Sequence, residues 1–235
     1  MKRRFSPSRT LTNSGLALAI ALPAGISSLG AATLINGSFE NFGTYVNTPG
    51  TDRMSGVAAN GWFVSTNTPD WFLGAPGPAG LWLTHWGDFF AVGAAQASTY
   101  REGLSQTVGS LSVGQTYIVK FQQANGLLFD QGSHLGTGEV GGWEVLVDGV
   151  SVGMSASAND NTTPSPAFTS AWTEGSITFE ASATSQTIEF LAYGGSAGNP
   201  TFQFLDEVTI EIVPEPTSPL LASLGGLFVL RRRRD

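Results

Sequence analysis

Apolar and polar residues alternate with a period of two along several short segments of the chain. In Gln115–Asn125 the residues that share one face are Tyr117, Val119 and Phe121. Successive side chains of a β-strand point to opposite faces, so this pattern predicts a strand with one face on a core.

A hairpin is predicted farther along the chain. Trp143, Val145 and Val147 alternate directly before Asp148-Gly149, which is a two-residue turn of the type that closes β-hairpins. Val150–Met154 is then the returning strand.

Two further segments predict a second pair of strands. Ile177 and Phe179 alternate in the first, Ile188 and Phe190 alternate in the second, and Ala183–Ser185 joins them. The last strand of the chain is marked by Val208, Ile210 and Ile212.

Residues 33–212 are rich in Gly, Ser and Thr and carry frequent turn signals. We therefore expect them to form one all-β domain. A two-sheet antiparallel sandwich is predicted, with the jelly roll as the favoured form.

The start of the chain has the pattern of a secretory signal peptide. A basic segment without acidic residues contains Lys2, Arg3, Arg4 and Arg9, and the apolar run Gly15–Ile26 follows it. Small residues lead to Ala32, so residues 1–32 are predicted to be removed by cleavage after Ala32, with Ala31 as the alternative. The other interpretation is a buried N-terminal helix.

The end of the chain carries a proline motif, a short apolar helix and a basic cluster. The motif is Val213-Pro214-Glu215-Pro216, the helix is Leu220–Leu230, and the cluster is Arg231-Arg232-Arg233-Arg234. Arginines enter a protein core only at a large desolvation cost. They can instead stop transfer at the membrane and leave the preceding domain outside.

Residues 213–235 resemble the PEP-CTERM sorting tail of bacterial exported proteins. The resemblance implies that an exosortase-type enzyme processes the tail near the Pro-Glu-Pro segment, in bacteria that make extracellular polysaccharide. The tail is then a transient membrane anchor, and the processed protein reaches the cell surface or the extracellular matrix. A proline-rich linker before a permanent anchor is the alternative.

The charge of the central region excludes one class of partner. Of the 11 Lys and Arg residues, only Arg53, Arg101 and Lys120 lie between residues 33 and 213, where 16 of the 18 Asp and Glu residues also lie. The net charge of this region is therefore −13. Such a surface repels phosphate backbones, so nucleic acid is not an expected partner. The chain has no cysteine, which excludes disulfides and thiolate metal sites.

Four short motifs resemble the landmarks of galactose-binding-like jelly rolls, which are common among carbohydrate-binding modules. They are Asn36-Gly37-Ser38-Phe39-Glu40, Gly61-Trp62, Val113-Gly114-Gln115-Thr116-Tyr117 and Leu205-Asp206-Glu207-Val208. The resemblance implies that the first and last strands lie together and that Glu40 and Asp206 help to hold a structural calcium ion. In the alternative interpretation both are solvated surface acids.

Three of the six tryptophans predict a ligand site. Trp71, Trp82 and Trp86 fall in Pro69–Phe90, which has the composition of a long aromatic loop. Flat aromatic faces can stack on sugar rings, so these three are the candidate glycan-binding residues. The alternative is that they fold inward and cap the sandwich. The tryptophans expected in the core are Trp62, Trp143 and Trp172.

The sequence therefore predicts an exported, non-enzymatic surface or matrix protein that binds carbohydrate. A purely structural component of an exopolysaccharide matrix is the alternative, and a glycoside hydrolase is a third interpretation, because the separation of paired carboxylates leaves no mark on sequence. The string Gly149-Val150-Ser151-Val152-Gly153 matches the pattern of a nucleophile elbow, but it follows a hairpin turn rather than opening a helix, so we assign it no catalytic role.

Overall fold

The computed structural model describes most of the central region. The described residues are 31–42, 53–55, 58–73, 89–97, 99–126, 128–130, 133–135, 141–157, 172–195 and 201–214. Within these ranges the chain forms strands and connections but no helix, and so none that is long and apolar enough to cross a membrane. The predicted signal peptide up to residue 30, and the predicted tail from residue 215 with its apolar helix, lie outside the described residues.

Fourteen strands make up the described fold. The first seven are β1 (Arg53–Ser55), β2 (Phe63–Thr66), β3 (Asp70–Leu73), β4 (Phe89–Gln96), β5 (Tyr100–Arg101), β6 (Gly103–Val108) and β7 (Thr116–Gly126). The others are β8 (Leu128–Asp130), β9 (Ser133–Leu135), β10 (Gly141–Val147), β11 (Val150–Met154), β12 (Thr173–Glu180), β13 (Gln186–Gly194) and β14 (Thr201–Ile212).

Two antiparallel sheets contain all of these strands except the small β8–β9 hairpin. The larger sheet has the order β1-β3-β4-β14-β7-β12, with β5 paired to β4, and the smaller has the order β11-β10-β13-β6-β2. Each sheet contains a set of four long strands, β4-β14-β7-β12 in the larger sheet and β11-β10-β13-β6 in the smaller one. The chain passes repeatedly between these two sets. This is the strand order of a jelly roll, so the predicted all-β sandwich and its jelly-roll form are confirmed.

The hairpin predicted at Asp148-Gly149 is present between β10 and β11. Val147 pairs with Val150, and Asp148 and Gly149 have φ angles of 50° and 79°. Positive φ at both central residues is characteristic of a type I′ turn, whose twist matches that of the flanking strands. Ser151 lies within β11, as expected from its position after the turn.

The predicted pairing of the strand at Ile177 and Phe179 with the strand at Ile188 and Phe190 is wrong. The strand that contains Ile177 and Phe179 pairs with β7 in the larger sheet, whereas the strand that contains Ile188 and Phe190 pairs with β10 and β6 in the smaller sheet. The connection at residues 181–185 crosses between the sheets instead of turning within one. Both strands present an apolar face to the same core, so the local pattern is the same for either arrangement.

The main core lies between the two sheets and follows the alternation seen in the sequence. The inward residues of β7 are Tyr117, Val119 and Phe121, all buried. Trp62 and Trp143 are buried in the same core, as predicted. β14 begins at Thr201, before the first residue of its predicted alternation at Val208.

Candidate functional site

The structure separates the three candidate tryptophans. Trp71 lies on β3, not in a loop, and its side chain is 0% exposed within the main core. Its ring meets that of Phe42 edge-on, with centroids 6.2 Å apart. As placed, Trp71 cannot stack on a sugar ring, because both faces are covered by protein. Trp82 and Trp86 lie outside the described residues.

The segments that carry Glu40 and Asp206 are close together. The backbone N–H of Val208 donates to the carbonyl of Gly37 over 2.9 Å, so the first described segment runs beside β14. Asp206 is 0% exposed, and its Oδ1 accepts the N–H of Glu207 at 2.7 Å. Glu40 Oε1 accepts the N–H of Phe89 at 3.1 Å.

Glu40 and Asp206 alone do not supply enough oxygen ligands for a calcium ion. Among the described residues no group of three or more His, Cys, Asp or Glu side chains is arranged to hold a metal ion. Calcium takes six to eight oxygen ligands, which can include backbone carbonyls. Glu40 and Asp206 would therefore need carbonyl oxygens beside them, and calcium stays a prediction.

A second apolar cluster lies on the outer face of the larger sheet. Its buried members are Phe90, Val92, Ala94, Ala124, Phe202 and Phe204, and the partly buried Tyr100 and Trp172 pack against it. These residues alternate with those that face the core, and the pairs Val92–Phe204 and Ala94–Phe202 place them side by side. An antiparallel sandwich needs only one apolar face on each sheet, so this outer cluster requires another explanation.

Trp172 belongs to this outer cluster and not to the main core in which it was expected. Its ring meets Phe90 edge-on at a centroid distance of 5.8 Å and lies 6.2 Å from Phe204. The rings of Phe90 and Phe204 are 4.8 Å apart and complete the group. Trp172 thus packs in an apolar cluster, as predicted, but its partners lie on the opposite side of the larger sheet from the main core.

A groove opens beside this outer cluster, where β3, β4, β5 and β14 meet. Its volume is about 310 Å³, and its lining residues are Thr68, Asp70, Ala94, Gln96, Tyr100, Glu102 and Phe202. We call it the carboxylate groove. Asp70 and Glu102 are both largely buried, at 3% and 5% exposure, whereas Tyr100 remains half-buried. The lining therefore combines two aromatic rings, of Tyr100 and Phe202, with two carboxyl groups and an amide.

Three donors of the protein fix the carboxylate of Glu102. The Tyr100 hydroxyl and the Thr68 hydroxyl donate to Oε1 over 2.6 and 3.2 Å, and the Ala94 N–H donates to Oε2 over 2.7 Å. Burial raises the pKa of Glu102, an effect that these donors oppose and that the nearby charge of Asp70 increases. Burial and the bond to Glu102 also raise the pKa of Tyr100.

Arg101, between Tyr100 and Glu102, anchors this corner to the smaller sheet. Its guanidinium donates to the carbonyls of Ala192 and Leu191 over 2.6 and 3.1 Å and forms a 2.7 Å ion pair with Glu144. Its neighbours are thereby held on the groove side. The backbone of Glu102 bridges the sheets as well, since its N–H donates to Ala94 and its carbonyl accepts from Ala192.

A second groove lies on the same face of the larger sheet, toward the other end of β14. Its volume is about 540 Å³, and it is lined by Gly37, Ser38, Lys120, Phe121, Gln122, Glu174, Glu207, Val208, Thr209 and Glu211. Lys120 and Glu211 form an exposed ion pair of 2.7 Å across it. Its one aromatic residue, Phe121, is buried in the main core, so this polar groove offers no ring for stacking.

Sequence reasoning missed Tyr100 and Glu102. One signal for this region was present, because Phe89–Ala95 is a continuous apolar run and not an alternating one. Such a run indicates a strand that is covered on both faces. The environment of Glu102 had no local signal, since two of the three donors to its carboxylate, Thr68 and Ala94, come from other segments of the chain.

Comparisons with known proteins give no family for this chain. No protein-family model matches it, and no curated protein sequence matches it. Among solved structures, TmCBM61 in complex with β-1,4-galactotriose is similar at 17% identity, covering 77% of this chain and 97% of that one, with a TM-score of 0.42.

Two further solved structures are similar at the same identity. One is a CBM4 structure, at 17% identity with 65% of this chain and 95% of that chain covered and a TM-score of 0.37. The other is the EclA C-terminal domain, a sugar-binding protein, at 17% identity, 57% and 87% coverage and a TM-score of 0.35. Likeness at this level transfers neither a ligand nor an activity.

Proposed function

We propose that this protein binds carbohydrate, without catalysis, in the carboxylate groove of its larger sheet. The observation that carries the proposal is the lining of the groove, in which the half-buried ring of Tyr100 lies beside the fixed carboxylate of Glu102. An aromatic face can cover the apolar C–H surface of a sugar. Ionised carboxylates only accept hydrogen bonds, and sugar hydroxyls can donate to them.

The outer apolar cluster supports the same proposal. Phe202 belongs both to the cluster and to the groove lining, so the groove has an apolar floor beside its polar wall. Small-molecule sites typically combine an apolar lining with a few fixed polar groups. The carboxylate of Glu102 is such a fixed polar group, because three hydrogen bonds hold its side chain in place.

Binding and its location are tested together by titration calorimetry. The purified protein is first screened on an array of polysaccharides, and the strongest ligand is titrated into the wild type and into Tyr100→Ala. We expect the variant to lose affinity by roughly tenfold or more, because the ring is the platform of the site. A matched control is Phe63→Ala, which removes an aromatic side chain that is 63% exposed on the smaller sheet.

The result of this titration separates the alternatives. Equal affinity in Tyr100→Ala and the wild type would place binding elsewhere, and silence across the array would favour a purely structural matrix protein. Release of new reducing ends from the bound polysaccharide would instead indicate a glycoside hydrolase.

We further propose that the chain is exported and sorted through its tail to the cell surface or extracellular matrix. Support comes from the sequence: the basic and apolar leader, the motif at residues 213–216 and the arginines at residues 231–234. The exosortase-type enzyme is the expected partner, and the membrane is a partner only before processing.

Mass spectrometry of the two mature ends tests this second proposal. The expected mature protein begins at Thr33 and ends near the Pro-Glu-Pro segment in cells that carry the processing enzyme. Cells that lack the enzyme should accumulate the chain with its arginines in the membrane fraction. An intact chain in the cytoplasm of both strains would overturn the proposal.

A further inference from the structure

The carboxylate of Glu102 has little freedom to avoid a ligand in the groove. Its side chain is 5% exposed and it contributes to the lining. Donors at 2.6, 2.7 and 3.2 Å hold both of its oxygens. A carboxylate that is fixed in this way cannot rotate out to solvent when an unsuitable ligand enters.

The acceptor capacity of this carboxylate is also nearly filled. An ionised carboxylate offers about four lone-pair sites. Three protein donors occupy all but about one of them, so the remaining site can take a donor such as a hydroxyl. A carboxylate or sulfate group of a ligand has no proton to donate there at neutral pH, and like charges would be brought together in a partly desolvated place.

The negative charge of the domain also disfavours anionic ligands in the groove. The region between residues 33 and 213 has a net charge of −13. Two of its three basic residues, Arg101 and Lys120, form ion pairs with Glu144 and Glu211 away from the groove. A strongly negative field of this kind lowers the local concentration of anionic polymers.

We propose that Glu102 makes the carboxylate groove selective for neutral glycans over glycans that carry uronate or sulfate groups. This inference rests on the proposed function, because it specifies the class of carbohydrate bound in the same groove. Neutral sugars present hydroxyl donors to the one remaining acceptor site. Like-charge contact across a binding interface is unfavourable, which disfavours the anionic class.

A matched pair of ligands tests the selectivity. The strongest ligand from a polysaccharide array is identified, and, where it is neutral, its primary hydroxyls are oxidised to carboxylates so that backbone and linkage stay the same. Calorimetry then compares the two forms. We expect the oxidised form to bind the wild type roughly tenfold more weakly or worse, and Glu102→Gln to reduce this discrimination at least several-fold.

The matched control is Glu211→Gln, which changes the net charge by the same amount but lies at the exposed ion pair in the other groove. It should leave the discrimination unchanged. If Glu102→Gln fails to fold, the wild type is titrated with a sulfated form of the same ligand, which stays charged as the pH falls. Discrimination against this form should shrink as Glu102 takes up its proton, and an unchanged discrimination would contradict the proposal.

The outcomes divide cleanly. Equal binding of the two forms, a strongest ligand that is anionic, or equal effects of the two glutamine variants would overturn the selectivity while leaving carbohydrate binding intact. The absence of any bound polysaccharide would overturn the proposed function and this inference together.

Discussion

The hydroxyl of Tyr100 donates to Oε1 of Glu102 over 2.6 Å. This contact joins the one partly exposed ring of the carboxylate groove to a nearly buried carboxylate, and Thr68 and Ala94 hold that carboxylate in turn. The orientation of the ring thus depends on residues from three separate parts of the chain.

Tyr100→Phe should weaken ligand binding less than the loss of the whole ring. The phenylalanine keeps the stacking surface but removes one donor to Glu102, a bond to a charged group that contributes about 1.5–3 kcal/mol. We expect the free energy of unfolding to fall by about this amount and the affinity to fall by severalfold. Urea unfolding and calorimetry measure the two effects; an affinity loss equal to that of Tyr100→Ala would contradict stacking.

The ionisation of Glu102 predicts opposite effects of pH on stability and on binding. Burial raises the pKa of Glu102 in the folded protein, so the folded state holds this proton more tightly than the unfolded state. The resulting stabilisation is present below the ordinary pKa of a glutamate and is lost as pH rises through the raised value. Ligand affinity, which uses the ionised form, should rise over the same window.

Comparison with Glu102→Gln isolates this group from the other carboxylates. The difference in free energy of unfolding between wild type and variant, measured by urea titration at a series of pH values, should move in favour of the wild type as pH falls through the window. A difference that does not vary with pH would show that Glu102 does not titrate there.

Gly93→Ala should destabilise the sandwich. A Cβ added at residue 93 would lie 2.7 Å from Cη2 of Trp143 and 3.1 Å from Cβ of Ala192, and both neighbours are fully buried. Overpacking of this kind costs typically about 1–3 kcal/mol. Gly109→Ala is the matched control, since its Cβ would meet nothing within 4 Å. Equal unfolding midpoints in urea for the two variants would contradict the packing described.

Calcium should raise the melting temperature if Glu40 and Asp206 hold the ion. A ligand bound only by the native state stabilises it, by about 2.7 kcal/mol at a concentration one hundred times its dissociation constant. The measurement is thermal unfolding with calcium, with magnesium and with a chelator. Asp206→Asn should abolish the calcium-dependent shift. Identical melting of the wild type in all three conditions would rule the site out.

The alternation of apolar and polar residues predicted the strands well, because it reports which face of each strand is buried. The alternation of Tyr117, Val119 and Phe121 and the turn at Asp148-Gly149 both identify their elements correctly. The same pattern does not report which strand is the partner. Residues 181–185 could close a hairpin or cross between sheets about 10 Å apart, and the structure takes the second course.

The candidate site was harder to predict, because its residues are not neighbours in sequence. The composition of the segment around Trp71 favours a loop. In the structure this residue lies on β3, and the pairing of β3 with β4 turns its ring into the core. Glu102 follows Tyr100 by two residues, and nothing local distinguishes it from an exposed glutamate. Its role arises only when Thr68 and Ala94 are brought to it by the fold.

The most direct test of carbohydrate binding in the carboxylate groove is a map of backbone amide shifts in an NMR titration with the strongest array ligand. We expect the largest changes at the amides of Ala94, Gln96 and Glu102. Changes confined to Lys120 and Thr209 in the other groove, or an unchanged spectrum at saturating ligand, would contradict the assignment of the site.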